Sequence, residues 1–281
     1  MDAASGLSGG VVALTLGAAV LHAAWNAVAH GVRDRLVGFA LMGVADVAAG
    51  GVAVLVLGWP PAGAWPYVIA SAGLHVVYVL LLWASYELGD FSQAYPLARG
   101  SAPWLVAVIV LVLGHRMPWV QAAGIVVITA GLLGLAFVGG VRRGRAVIGA
   151  ALATGVAIAG YTVVDAAAVA VTPVPVYAAW LFLLQGPVLP VIALVRRKGK
   201  LVEQARGLWA AGIGGGLVSI AAYGLVLVAQ TSGATAAIAA LRECSIVIGA
   251  LIGAAFLGED LGRRRAIAAA VVAAGIVLVS L

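Results

Sequence analysis

Ten apolar runs divide the chain, each about 20 residues, the length of helix that crosses a hydrocarbon core. They span about 8–30, 36–58, 65–86, 92–113, 118–138, 146–170, 175–195, 206–228, 233–256 and 263–281. The breaks between them are short and rich in Gly, Pro and charge, as at Trp59-Pro60-Pro61 and Arg196 to Glu203. None has room for a soluble domain. Of all residues, 64% are hydrophobic and 9% charged, more apolar surface than a water-soluble fold hides. The expected fold class is an all-α membrane protein with ten transmembrane helices.

Charge and cysteine usage exclude several functions. The net charge of +6 is not a nucleic-acid signal, because its arginines lie mostly in short loops between spans. All loop Lys and Arg except Arg116 fall in the connections after spans one, five, seven and nine. The positive-inside rule makes those loops cytoplasmic and both termini external. Cys244 is the single cysteine, so neither an internal disulfide nor a cysteine-cluster metal site is expected. Met1 to Ser5 carries no positive n-region, so the first run is expected to remain as a helix. The sequence has no Walker-type phosphate loop and no zinc motif, and no cofactor is expected.

The two halves look alike. Span four ends Leu113-Gly114-His115-Arg116, and span nine ends Leu257-Gly258-Glu259-Asp260. Gly124 to Leu135 resembles Ala268 to Val279, and the midpoint falls near Gly139 to Arg145. Five spans per half is odd, so the halves enter the membrane in opposite senses. The expected domains are two five-helix repeats, 1–140 and 141–281. Inverted repeats place a binding site near the midplane between them.

Arg99 sits in span four within Tyr95-Pro96-Leu97-Ala98-Arg99-Gly100-Ser101-Ala102-Pro103. Arg242 sits at the matching place in span nine, followed by Glu243. An arginine inside a span costs about 2.5–3.5 kcal/mol on insertion scales, so it faces a cavity or a partner. Each guanidinium is a planar five-donor fork suited to a carboxylate, phosphonate or phosphate. The competing reading is an ion pair, Glu243 with Arg99 across the repeat axis and Asp165 with Arg242. Pro96 and Pro103 remove backbone bonds and are expected to break span four. Gln185, Pro187 and Pro190 suggest a similar irregularity in span seven.

Other polar residues recur at helical spacing. His22, Asn26 and His30 share one face of span one, as a pathway lining or as interhelical hydrogen bonds. His75 and Tyr78 share a face of span three, and Tyr223 lies near the repeat equivalent of Tyr78. Tyr161 and Asp165 share a stripe of span six. Asp46 stands alone in span two. A carboxylate within a span is a functional candidate, here for proton coupling or charge pairing. Trp83 and Tyr86 fit an interfacial aromatic belt.

The two five-span halves, His22-Ala-Ala-Trp25-Asn26, the Tyr95 to Pro103 segment and the Leu257-Gly258-Glu259 ending resemble the EamA-type permeases of the drug/metabolite transporter superfamily. The likeness runs over essentially the whole chain. Span one departs from it with His30 where a lysine is frequent, and span four with Gly114-His115-Arg116 where Gly-Glu-Arg is usual. The resemblance implies a central cavity, alternating access and a transporter rather than an enzyme. Sugar-phosphate carriers of the superfamily place basic residues on the fourth and ninth spans, where Arg99 and Arg242 sit. Family members are often drawn with cytoplasmic termini, against the loop charges.

The sequence therefore predicts a secondary transporter of a small polar metabolite in a bacterial-type plasma membrane. Arg99 and Arg242 would bind an anionic group, with His22, Asn26, His75, Tyr78, Tyr95, Tyr161 and Tyr223 around the remainder. Asp165 and Glu243 would couple protons or pair charges. The expected partners are the substrate, protons and the bilayer. The rival is a proton-coupled exporter of amines, drugs or amino acids that uses Asp165 and Glu243.

Overall fold

A computed structural model describes residues 7–32, 34–88, 91–136, 145–198, 200–249 and 263–281, with side chains except at 29–31, 85–88, 91–96, 136, 145–147, 264 and 265. His30, Tyr86, Tyr95, the Gly139 to Arg145 midpoint and the Leu257-Gly258-Glu259 ending lie wholly or by their side chains outside that set. All regular structure among the described residues is helical.

The helices follow the apolar runs. They are α1 (Gly9–Gly31), α2 (Arg35–Leu57), α3 (Trp65–Leu88), α4 (Phe91–Val112), α5 (Trp119–Ala136) and α6 (Arg145–Val169). Then come α7 (Val174–Gln185), α8 (Val188–Arg197), the short α9 (Leu201–Gln204), α10 (Trp209–Gln230), α11 (Thr235–Arg242) and α12 (Arg263–Ser280). Local chemistry sets several ends. The Asp34 carboxylate caps α2 by accepting the Val37 N–H at 3.2 Å. Gly58 ends α2 at φ +79°, a conformation that side-chain-bearing residues resist. Six helical stretches among the described residues are long and apolar enough to cross a membrane.

Two apolar runs are interrupted. The seventh breaks at Gly186 and Pro187, between α7 and α8, where proline offers no N–H to continue the ladder. The ninth ends α11 at Arg242, turns at Glu243, and is helical again over 244–249. The break expected in span four does not occur: α4 runs unbroken through Pro96 and Pro103. Pro103 leaves the Arg99 carbonyl without its helical donor, yet the segment stays helical where it packs closely on its neighbours. A Cβ on Gly155 of α6 would lie 2.9 Å from the Ala98 carbonyl, and one on Gly100 would lie 3.0 Å from the Leu132 side chain of α5. These contacts fix the turn of α4 that carries Arg99.

Most of the helix contacts run between the halves. α1 packs on α10 and α3 on α6; α2 packs on α7, α4 on α11, and α5 on α12. α4 also meets α6, and α1 meets α11. Glycines permit the closest approaches. A Cβ on Gly124 would fall 2.9 Å from the Gly275 carbonyl, and one on Gly275 would fall 2.9 Å from the Gly124 carbonyl. Small residues at such crossings let apolar helices pack in lipid.

Burial is inverted relative to a water-soluble protein. Leu55, Val112 and Trp119 are at least 80% exposed, apart from Leu55's neighbour Val56 at 79%. Meanwhile Arg99, Arg242, Glu243, Asp165 and His22 are buried. Lipid-facing apolar side chains around a polar interior are what the bilayer selects.

Candidate substrate cavity and its buried charges

A cavity opens among α1, α2, α3, α4, α6, α7 and α10 and holds about 870 Å³ of empty space, counting the part open to solvent. Helices from both halves wall it. Arg99, His22, His75, Tyr78, Tyr161 and Tyr223, all expected as binding residues, line it together. The tyrosine and histidine rings form one packed wall. His75 stacks on Tyr161 with centroids 3.9 Å apart, and Tyr223 meets His75 edge-on at 5.2 Å.

Arg99 is 3% exposed and donates from Nε to Glu243 Oε2 at 2.7 Å. Its Nη2 lies 3.4 Å from the Ser245 hydroxyl. On the other side of Glu243, Oε1 is 3.4 Å from Arg242 Nε. The three side chains form a buried Arg-Glu-Arg row with a net charge of one positive. Arg242 lies behind the cavity wall, with its guanidinium carbon 5.8 Å from the centre of the Tyr161 ring. Its Nη2 has no hydrogen-bond partner.

This geometry corrects the repeat register. Arg99 and Arg242 are not strict counterparts. The Leu113-Gly114 and Leu257-Gly258 signatures are as far apart as Arg99 and Glu243, which are 144 residues apart. Arg99 and Glu243 are thus the equivalent pair, and equivalent positions on α4 and the ninth run face one another. The turn at Glu243 then brings Arg242 to the far side of the same carboxylate.

Asp165 also departs from expectation. It does not pair with Arg242. Its Oδ1 accepts from the hydroxyls of Ser71 and Tyr177, and its Oδ2 from that of Tyr223. The Ser71 hydroxyl is also 3.2 Å from His75 Nδ1. Four helices, α3, α6, α7 and α10, are tied together at one carboxyl group. Asp165 is wholly buried and reaches the cavity lining directly through Tyr223 and, by way of Ser71, through His75.

The remaining positions divide. The Asn26 amide turns back to the His22 carbonyl at 2.6 Å, a contact within its own helix. The Tyr95 side chain lies outside the described residues. Asp46, isolated in the sequence, is at the cavity wall, which Gln185 of α7 also lines. Sequence reasoning noted both residues but did not join them. The signal was present: Gln185 directly precedes the Gly186-Pro187 break, and a polar residue at a broken span is a marker of a lined cavity.

Residues 145–281 match the EamA-like transporter family. That stretch of the chain is thus similar to a family of the drug/metabolite transporter superfamily. No curated protein matches the sequence. Among solved structures, one crystal structure shares the fold with a TM-score of 0.73 and 19% identity over 95% of each chain. At that identity the likeness speaks for the fold alone. EamA-like proteins are transporters, which makes the cavity the candidate substrate site.

Proposed function

We propose that the chain is a secondary active transporter of a small metabolite with an anionic group, working by alternating access in the plasma membrane. Ten spans in two inverted five-helix repeats, 1–140 and 141–281, would form it. The pattern of helix contacts supports that arrangement. Exchanging each span with its partner five places along converts the α1–α10 contact into α3–α6, and the α1–α11 contact into α4–α6. The same exchange leaves the α2–α7, α4–α11 and α5–α12 contacts unchanged. A two-fold axis between opposed repeats has this property.

The observation that carries the reading is Arg99 at the cavity wall, bound at 2.7 Å to a carboxylate from the other half. A substrate anion competes with Glu243 for the guanidinium fork. When it wins, Glu243 keeps Arg242, and the contact that joins the halves at this level is released. Two basic residues thus serve one anion, Arg99 by touching it and Arg242 by holding the displaced carboxylate. His75, Tyr78, Tyr161 and Tyr223 would orient the rest of the substrate. A transported proton has Glu243 as its carrier in this scheme, because that is the carboxylate substrate binding frees. The rival use of Asp165 and Glu243 as a cation site has less support, since three hydroxyls surround the first and two arginines flank the second.

The test is a thermal-shift screen of the purified full-length protein with short carboxylates, phosphonates, sugar phosphates and amines. A ligand that binds only the folded state raises Tm by mass action. Anions are expected to stabilise the wild type and to lose that effect in Arg99→Gln. Stabilisation by amines alone, unaffected by Arg99→Gln, would contradict the reading.

A further inference from the structure

The cavity has a second pole. Its wall carries one arginine, Arg99, and one carboxylate, Asp46, among the described lining residues. Each pole also has a buried polar atom with no hydrogen-bond partner among the described residues. His22 is 5% exposed, and its Nδ1 accepts the Trp25 indole N–H at 2.9 Å. In the neutral ring the proton is then on Nε2, a donor that meets no acceptor. At the other pole Gln185 lines the same cavity as Asp46, and its buried Oε1 has no hydrogen-bond partner among the described residues. One pole offers a cation and a spare donor, and the other an anion and a spare acceptor. Buried polar groups in folded proteins are almost always satisfied, so both spare atoms point to a ligand.

Resting on the anion-site reading above, we propose that the substrate is a short zwitterion that spans the cavity. Its carboxylate or phosphonate head meets Arg99 and His22, and its primary ammonium meets Asp46 and Gln185. Such a molecule answers both unpaired atoms and both wall charges while adding no net charge to the cavity. A simple anion leaves Asp46 and the Gln185 oxygen facing an apolar chain, and a simple amine leaves Arg99 and His22 so. Sites built to hydrogen-bond a group reject analogues that lack it far better than apolar pockets reject size changes. The aromatic side chains of the same wall, Tyr78, Tyr161 and Phe182, suit a short methylene linker. Each pole also lies where the halves meet: Arg99 of α4 pairs with Glu243, and Asp46 is on α2, which packs on the α7 that carries Gln185. A ligand held at both ends acts on both inter-half contacts at once.

The test measures affinities of the full-length protein in nanodiscs by calorimetric titration. The probes are 3-aminopropionate, propionate and 1-propylamine, then the amino-carboxylate series from glycine to 6-aminohexanoate. 2-Aminoethylphosphonate and ethylphosphonate separate a carboxylate head from a phosphonate head. One zwitterion length is expected to bind at least about tenfold more tightly than the matching anion and amine. Asp46→Asn is expected to shrink that preference to about threefold or less while the simple anion binds as before. Gln185→Leu should reduce it in the same direction, which covers a failure of the first variant to fold. If simple anions bind as well as every zwitterion, with Arg99 dependence intact, the zwitterion proposal falls and the anion site stands. If no probe binds in an Arg99-dependent way, the anion site falls and the zwitterion proposal with it.

Discussion

Glu243 and Asp165 are both carboxylates with no solvent exposure, yet the protein holds them in opposite ways. Glu243 lies between two guanidinium groups, one from each half, and touches a residue of the cavity wall. Asp165 is held by the hydroxyls of Ser71, Tyr177 and Tyr223, with no basic partner among its hydrogen-bond donors. The difference separates two jobs. An ion pair can be exchanged, because an incoming anion offers Arg99 the same chemistry that Glu243 does. A shell of hydroxyls from several helices has no such competitor, and it serves as a fixed joint beside the moving one.

The comparison predicts effects of decreasing size. Glu243→Ala leaves two buried arginines uncompensated, and breaking a buried pair from one side costs about 3–5 kcal/mol. Reversible unfolding in a denaturant should report that loss, and adding Arg242→Met should recover part of it. Recovery by the double variant is the sharper outcome, since it distinguishes charge imbalance from lost packing. Asp165→Asn should cost less, about 1–3 kcal/mol, because the amide still accepts from some of the three hydroxyls. It should leave ligand affinity nearly unmoved, and a large loss of affinity would break the division between joint and exchange site. Tyr177→Phe removes a single donor to Asp165 and should cost about 1 kcal/mol in the same assay. Smallest of all should be Arg197→Ala. Arg197 makes two contacts to Asp34, at 2.7 and 2.6 Å, but both side chains are roughly 30% exposed. Such partly solvated pairs contribute about 0–1 kcal/mol.

Much of this was legible in the sequence, for definite reasons. Span positions follow from apolar run length, which the bilayer fixes, and the helix bounds lie close to them. The choice of His22, His75, Tyr78, Tyr161 and Tyr223 as lining residues followed from polar side chains recurring on one helix face. What failed was whatever depends on the third dimension. Two prolines in span four imply a break, but the packing of Gly100 and Gly155 against neighbouring helices keeps α4 continuous. The matching of Arg99 with Arg242 failed differently, since the spacing of the two Leu-Gly endings in the sequence already sets Arg99 against Glu243. Asp46 stood alone in the sequence because Gln185, which lines the same cavity, lies on a helix of the other half, and no periodicity within span two reveals that. The helical spacing of Asn26 could not show that its amide nitrogen bonds back to its own helix.

The central claim is that a substrate anion and Glu243 compete for Arg99. Titrating 3-aminopropionate and propionate into Arg99→Gln and Glu243→Gln, each compared with the wild type, tests it most directly. The account predicts changes of opposite sign: Arg99→Gln loses binding, and Glu243→Gln binds more tightly because the internal competitor is gone. If Glu243→Gln loses binding as Arg99→Gln does, or if neither variant changes it, the competition does not exist and the account is wrong.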